Sequence, residues 1–339
     1  MSEPASMPGT DLYSVIIPVY RNEEFVPHLI REFTAVSEEC RRRFGIAMEF
    51  VFVVDASPDR SYERLAEALP RAPFASQLLL HVRNFGSFAA IRTGMQAARG
   101  DFLAAIAADL QEPPGLLLDF LDVLLQGEAE VAIGVREGRD DPASSRLAAN
   151  LFWELYRWLV MPEIPKGGVD VFGCTRRVRD ELLALREANS SLVGLVFWLG
   201  FTRAEVPYRR RAREFGRSAW TLKKKVKYLL DNIFAFSDLP VRLLSVLGGL
   251  GLLVAFALGL SVLVLRLHGG IDIPGYATTI ITVIFFGALN TLGLGIIGSY
   301  AWRTYENTKQ RPLALVRSQR QFGAAIRPVQ AAHAGEVGS

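Results

Sequence analysis

Two aspartates and an arginine are the side chains best suited by type to handle a charged phosphate ester. Asp55 opens Asp55-Ala56-Ser57-Pro58-Asp59, Asp109 opens Asp109-Leu110-Gln111-Glu112-Pro113-Pro114, and Arg136 sits in Gly134-Val135-Arg136-Glu137-Gly138-Arg139. A carboxylate can hydrogen-bond a base or ribose, or hold Mg2+ through one or two oxygens completed by phosphate. Arginine offers phosphate a rigid fork of donors. A basic strip follows: from Arg203 to Lys227 there are ten Lys or Arg against only Glu205 and Glu214. Plainer roles compete. Asp55 and Asp59 suit a turn and a helix cap ahead of Ser61, Asp109 suits a loop before Pro113, and charge runs usually form solvated faces. No glycine-rich phosphate loop of the P-loop or dinucleotide type is present. The four His and two Cys show no zinc spacing.

The elements around these residues explain why they could meet. Short β-rich runs lie at 14–19, 49–54, 78–82, 102–107 and 131–135. Helix-like stretches lie between them at 23–43, 61–69, 88–99 and 114–125, the last opened by Pro113-Pro114. Strands alternating with helices predict a mostly parallel sheet covered on both faces. Ligands of such sheets sit beyond the carboxyl ends of the strands. Asp55, Asp109 and Arg136 all follow strand ends, which puts them on one rim.

Composition sets the wider frame. Half of the 339 residues are apolar, 22% are charged and the net charge is +3. That excludes a disordered chain and a polycation built for nucleic acid. Cys40 and Cys174 are too few for a disulfide framework. Residues 1–11 lack a basic region followed by an apolar stretch, so no cleaved signal peptide is expected.

The apolar residues concentrate late in the chain. Residues 243–265 form an uncharged run long enough to cross a ~30 Å hydrocarbon core as a helix, and a second run follows at 276–302. Basic residues flank the pair, while the connector carries only Arg266, His268 and Asp272. The positive-inside bias then predicts a two-span hairpin with both termini cytoplasmic. Residues 221–236 read as an amphipathic helix along the membrane, with Trp220, Tyr228 and Phe234 as aromatic anchors. The strip before it would attract anionic lipid at about 1 kcal/mol per basic residue. The expected organisation is a flexible N-terminus (1–10), a cytoplasmic catalytic domain (11–206), a basic loop with amphipathic helix (207–241), two transmembrane helices (242–302) and a cytoplasmic tail (303–339).

Four segments in order resemble a known family: Val15-Ile16-Ile17-Pro18-Val19-Tyr20, Val54-Asp55-Ala56-Ser57-Pro58-Asp59, Arg83-Asn84-Phe85-Gly86 and Asp109-Leu110-Gln111-Glu112-Pro113-Pro114. They are similar to the sequential motifs of family 2 glycosyltransferases, in the polyprenyl-phosphate subgroup of dolichol-phosphate mannose synthase relatives, bacterial two-span type. The resemblance implies a GT-A-like fold and a nucleotide-sugar donor on the strand rim, with Pro18, Tyr20 and Asp55 holding the nucleoside. The acid after the first strand is Glu23 or Glu24, although an ungapped match puts Asn22 there. Asp109 and Gln111 match the end of an Asp-x-Asp-x-Gln signature that binds Mg2+ or Mn2+ and the donor diphosphate. Asp170, in Val169-Asp170-Val171-Phe172, falls where the family has an Asp-Phe pair near the reaction centre, which implies a catalytic role for it beside Asp109. Arg210, Arg213 and Ser218 match a loop over donor and acceptor phosphates, with Arg136 and Lys223 adding cations. Two departures stand out: Ala107 replaces the first Asp of Asp-x-Asp, and the paired acid at the second strand is Val54-Asp55.

The activity implied is transfer of one hexose from UDP- or GDP-sugar to undecaprenyl or another polyprenyl phosphate. It would take place at the cytoplasmic face of the bacterial plasma membrane, in a homo-oligomer that the family suggests is a tetramer. Nucleotide sugar, polyprenyl phosphate and membrane lipid are the implied partners, and nucleic acid is not. A phosphate monoester is already an oxyanion near neutral pH, so it needs no general base and can displace the nucleotide diphosphate in line with inversion. The alternatives are transfer to another lipid or a saccharide hydroxyl, or a silent scaffold, the last motivated by Ala107.

Overall fold

The computed structural model describes residues 12–137, 154, 156–158, 160–165, 168, 169, 171–187, 190–211, 222–237, 239–268 and 275–323. Eight strands form one sheet: β1 (Leu12–Val19), β2 (Ala47–Val54), β3 (Ala75–His81), β4 (Phe102–Ala105), β5 (Val131–Arg136), β6 (Phe172–Thr175), β7 (Arg203–Tyr208) and β8 (Val316–Phe322). Their order is β7-β5-β6-β4-β1-β2-β3-β8. The pairs β1–β2, β1–β4, β2–β3 and β5–β7 are parallel; β6 runs antiparallel between β4 and β5, and β8 antiparallel on β3. Six strands therefore point the same way, and their carboxyl ends share one rim.

The first five strands read as near-continuous apolar runs because both faces of the sheet are covered. Successive side chains alternate between two cores. Val15, Ile17, Val19, Phe50, Phe52 and Val54 face α1 (Val26–Phe44), α2 (Ser61–Ala68) and α4 (Leu116–Gln126). Ile16, Val51 and Val53 face α3 (Ser87–Ala97), α5 (Arg176–Ala184) and α6 (Leu192–Trp198). The Phe33 ring of α1 stacks on Phe50 of β2 with centroids 4.7 Å apart. Truncating such a buried ring to Ala costs about 3–5 kcal/mol. The α1 helix ends where its basic last turn, Arg41 to Arg43, complements the dipole and Gly45 turns left-handed at φ 71°, its amide donating to the Arg41 carbonyl at 3.0 Å.

Beyond β7 come α7 (Leu222–Phe236), α8 (Leu239–Leu267) and α9 (Tyr276–Thr308). Large apolar side chains along α8 and α9 are exposed, among them Leu250, Leu253, Phe256, Val283, Phe285 and Leu294. The two helices approach where a Cβ on Gly251 would fall 3.0 Å from the Phe286 ring and one on Gly293 would fall 3.2 Å from Leu244. Counting only residues whose side chains are described, no single helix is long and apolar enough to cross a membrane. The bent pair Leu229–Phe236 and Leu239–Gly251, 77° apart, meets those terms together. The α7 helix is fastened on two sides. Tyr156 donates its hydroxyl to Asn232 at 2.9 Å, and Arg303 of α9 donates to Asp231 at 2.8 Å while lying over the Phe234 ring.

One expectation needs correcting. Residues 303–339 read as a tail, yet 316–322 form β8 and complete the sheet. Its backbone pairs with the β3 edge, which otherwise leaves a row of unpaired amides and carbonyls. Gln319 donates to the Gln77 side chain at 2.9 Å, tying the added strand to the interior. The expectation for residues 1–10 lies outside the described residues.

Candidate active site

The rim is built from strand ends followed by strained turns. Arg21, Ala56 and Leu110 all take left-handed backbone conformations, at φ 57°, 46° and 53°, shortly after β1, β2 and β4. Each such non-glycine residue costs roughly 1–2 kcal/mol, so the surroundings must enforce it.

After β1 and β2 the enforcement is an interlock between loops. Arg21 N–H donates to Ser57 Oγ (2.7 Å), Asn22 N–H to Ser61 Oγ (3.1 Å) and Glu23 N–H to Asp59 Oδ2 (3.1 Å). In return Arg60 N–H donates to Glu23 Oε2 at 2.9 Å. Burial pushes the Asp59 carboxyl up, but the Ser57 and Ser61 hydroxyls and the Glu23 and Ser61 amides outweigh it and hold it below its usual value. Glu23 is thereby engaged in the interlock. Pro18 is half-buried in β1, and Tyr20 is exposed beside it with the Arg21 guanidinium 5.5 Å from its ring.

Asp55 is buried, with its carboxylate turned to its own chain. Oδ1 accepts from Phe85 N–H (2.8 Å) and meets His81 Nδ1 (2.8 Å), and Oδ2 accepts from Gly86 N–H (2.7 Å). The other His81 nitrogen meets Thr93 Oγ1 at 3.0 Å. Asp55 thus shapes the Arg83-Asn84-Phe85-Gly86 loop, in which Arg83 lies 4.1 Å over the Phe85 ring. Sequence reasoning missed His81 and Thr93. The one available signal was a polar residue closing an otherwise apolar strand run.

The other half of the rim carries the charge. Asp109 is half-buried, and its Oδ1 accepts from Gln111 N–H at 3.3 Å. Gln111 meets the start of the basic strip twice: its carbonyl accepts from Arg211 N–H at 2.8 Å and its Oε1 from Arg210 Nη2 at 2.7 Å. Arg210 Nε also lies 3.6 Å from Glu112 Oε1. Arg136, at the end of β5, donates from Nε to the Tyr208 hydroxyl at 3.4 Å. Glu112 is buried; burial pushes its carboxyl up and Asp109 adds to the rise, while Arg210 and Arg136 oppose it. Burial likewise raises the Tyr208 hydroxyl, with Glu112 adding and Arg136 opposing. Sequence reasoning missed Glu112 and Tyr208 as members of this cluster.

Asp109, Gln111, Arg136 and Arg210 therefore come together, and Pro18, Tyr20, Glu23 and Asp55 line the neighbouring strand ends, since β1 pairs with β4. Asp170, Arg213 and Ser218 lie outside the described residues, and Lys223 falls in the first turn of α7. For a divalent cation, Asp109 fits as the single carboxylate of a site completed by phosphate and water. Gln111 Oε1 already accepts from Arg210 Nη2, which leaves one of its two lone pairs for a cation.

Comparison with known proteins gives the family. Residues 14–185 match the model of Glycosyl transferase family 2. An uncharacterized glycosyltransferase of Bacillus subtilis (strain 168) is 34% identical over 312 residues, 92% of this chain and 94% of that one. An undecaprenyl-phosphate 4-deoxy-4-formamido-L-arabinose transferase of Pseudomonas paraeruginosa is 31% identical over 309 residues, 89% of this chain and 88% of that one. A bactoprenol glucosyl transferase of Shigella phage SfV is 27% identical over 312 residues, 91% and 99% of the two chains. The motif resemblance and the mostly parallel, doubly covered sheet thus have one source: the chain is a glycosyltransferase and belongs to glycosyl transferase family 2.

Proposed function

We propose that the chain moves one hexose from a nucleotide sugar, UDP- or GDP-linked, to undecaprenyl or a similar polyprenyl phosphate, with inversion, at the cytoplasmic face of the bacterial plasma membrane. The observation that carries this reading is the gathering of Asp109, Arg136 and Arg210 around Glu112, beyond the ends of β4, β5 and β7, where the basic strip begins. Two relatives, named for undecaprenyl phosphate and bactoprenol, support the acceptor class.

Donor diphosphate and acceptor phosphate repel one another, and the guanidinium forks of Arg136 and Arg210 offset that repulsion at the point of approach. Arg213, Ser218 and Lys223 are assigned to the acceptor phosphate and Asp170 to the reaction centre by resemblance. The acceptor oxyanion forms a bond to the anomeric carbon as the bond to the diphosphate oxygen breaks, so no side chain has to remove a proton. When bound, Mg2+ or Mn2+ at Asp109 supplies further neutralisation of the departing diphosphate. The exposed apolar helices α8 and α9 are assigned to the bilayer. Gly295 and Gly298 of α9, where an added Cβ would meet no other described residue within 4 Å, suit contact between copies of a homo-oligomer.

The test incubates purified protein with undecaprenyl phosphate and a panel of labelled nucleotide sugars. A labelled, acid-labile lipid is expected with one donor. Labelling of a saccharide instead of lipid, or of nothing with any donor, overturns the reading.

A further inference from the structure

Three oxygen-bearing positions of the metal signature are accounted for differently in this chain. Ala107 offers a methyl group. Gln111 Oε1 already accepts a hydrogen bond from a cation, Arg210 Nη2, at 2.7 Å. Of the three, only Asp109 is a carboxylate.

The same guanidinium is held from a second side. Its Nε lies 3.6 Å from Oε1 of Glu112, a residue 1% exposed whose Oε2 has no hydrogen-bond partner among the described residues. A buried carboxylate oxygen left this way is costly, and a fixed cation next to it is the natural compensation. The backbone adds a third hold, since Arg211 N–H donates to the Gln111 carbonyl at 2.8 Å. Nη2 and Nε are thus engaged with the loop, and a guanidinium has donors to spare on Nη1. Arg136 stands nearby at the end of β5, where both guanidinium groups act on Glu112 and on Tyr208. Two fixed single charges equal one divalent ion.

We propose that Arg210 is a resident cation of the donor site, positioned by Glu112 and Gln111, and that it allows a nucleoside diphosphate to bind without a divalent metal. The inference rests on the donor reading above and deepens it. Glu112 acts here through Arg210 and is a positioning residue. A metal at Asp109 then adds to binding instead of creating the site.

The experiment titrates UDP and GDP calorimetrically into the full-length protein in detergent, once with Mg2+ and once with EDTA. Wild-type protein is expected to bind one nucleotide with less than ~3-fold change in Kd between the two conditions. Arg210→Ala weakens binding ~30-fold in EDTA, the scale of a lost charge-assisted hydrogen-bond pair, and recovers part of it in Mg2+. Arg210→Lys, which keeps the charge without the fork, falls between. Glu112→Gln keeps the shape and the Arg210 charge but releases the guanidinium, and weakens EDTA binding ~5-fold. Unchanged melting temperatures separate these losses from misfolding. Wild-type binding that disappears in EDTA, or Arg210→Ala binding like wild type there, overturns the resident-cation assignment and leaves the donor reading standing. Failure to bind either nucleotide in both conditions overturns the two together.

Discussion

Arg136 and Tyr208 form the last rung of the parallel pair β5–β7, with Arg136 Nε 3.4 Å from the Tyr208 hydroxyl. Because the two strands run the same way, the chain leaves β7 on the rim where β5 ends. Arg209, Arg210 and Arg211 therefore emerge beside Asp109 and Glu112. A single strand direction decides whether the basic strip serves the site or lies at the opposite edge of the sheet.

Arg136→Ala removes one guanidinium fork from the proposed diphosphate position while leaving a half-exposed strand end. Transfer is expected to fall about 10- to 100-fold in kcat/KM, the scale of one charge-assisted contact. The melting temperature should stay within ~2 °C of wild type, as for other surface substitutions. Lipid-product assays across donor concentrations check this, and a variant as fast as wild type removes Arg136 from the phosphate site.

Asp109→Ala is expected to abolish transfer, on the proposal that this carboxylate serves the donor diphosphate and its metal. Folding and detergent-solubilised elution should be retained, because the Asp109 side chain is half-buried on a loop. Full activity in this variant refutes its role.

Gly194 of α6 sits so close to α7 that a Cβ would fall 2.4 Å from the Phe236 ring. Gly194→Ala must displace the Phe236 ring or the helix that carries it, at about 1–3 kcal/mol for an overpacked contact. Pairing it with Phe236→Leu is expected to restore part of the lost melting temperature. Strictly additive losses in the double variant would show that the two positions do not share this contact.

Asp59 gives the loop interlock a pH dependence of fixed sign. Its carboxyl is held below the ordinary value of 3.8, so the stability it contributes is fully present above that value and is lost as pH falls through the lower folded-state pKa. Melting temperatures of wild type and Asp59→Asn should differ most near neutrality and converge as the solution becomes strongly acidic. A gap that widens in acid contradicts the assignment.

The strands and helices of the first half were legible because burial on both faces writes itself into the chain. Runs such as Phe50, Val51, Phe52, Val53 and Val54 admit few other readings. Of the strands not read from sequence, β6 is buried but only 4 residues long, while β7 and β8 lack that imprint. In β7 several side chains are exposed or half-exposed, and β8 consists of Val316-Arg317-Ser318-Gln319-Arg320-Gln321-Phe322, mostly polar and mostly exposed because it closes an edge. Pairing partners, unlike burial, leave no local mark. The same holds in the site. Aspartates at strand ends could be picked out, but that Asp55 faces inward to His81 depends on β3 lying beside β2. The Arg210 contact with Gln111 spans 99 residues and is set by the direction of β7.

The strand β8 gives the apolar helices two attachments to the catalytic sheet. Entering through α7, which is pinned by Asn232 and Asp231, the chain runs out along α8, back along α9, and stitches itself to β3 before it ends. A domain held by one such strand of chain can swivel like a kite on a line; one held at both margins cannot. The rim bearing Asp109 and Arg210 is therefore joined to α8 and α9 from two sides of the sheet, and a lipid-linked acceptor of the kind proposed would meet it in one orientation.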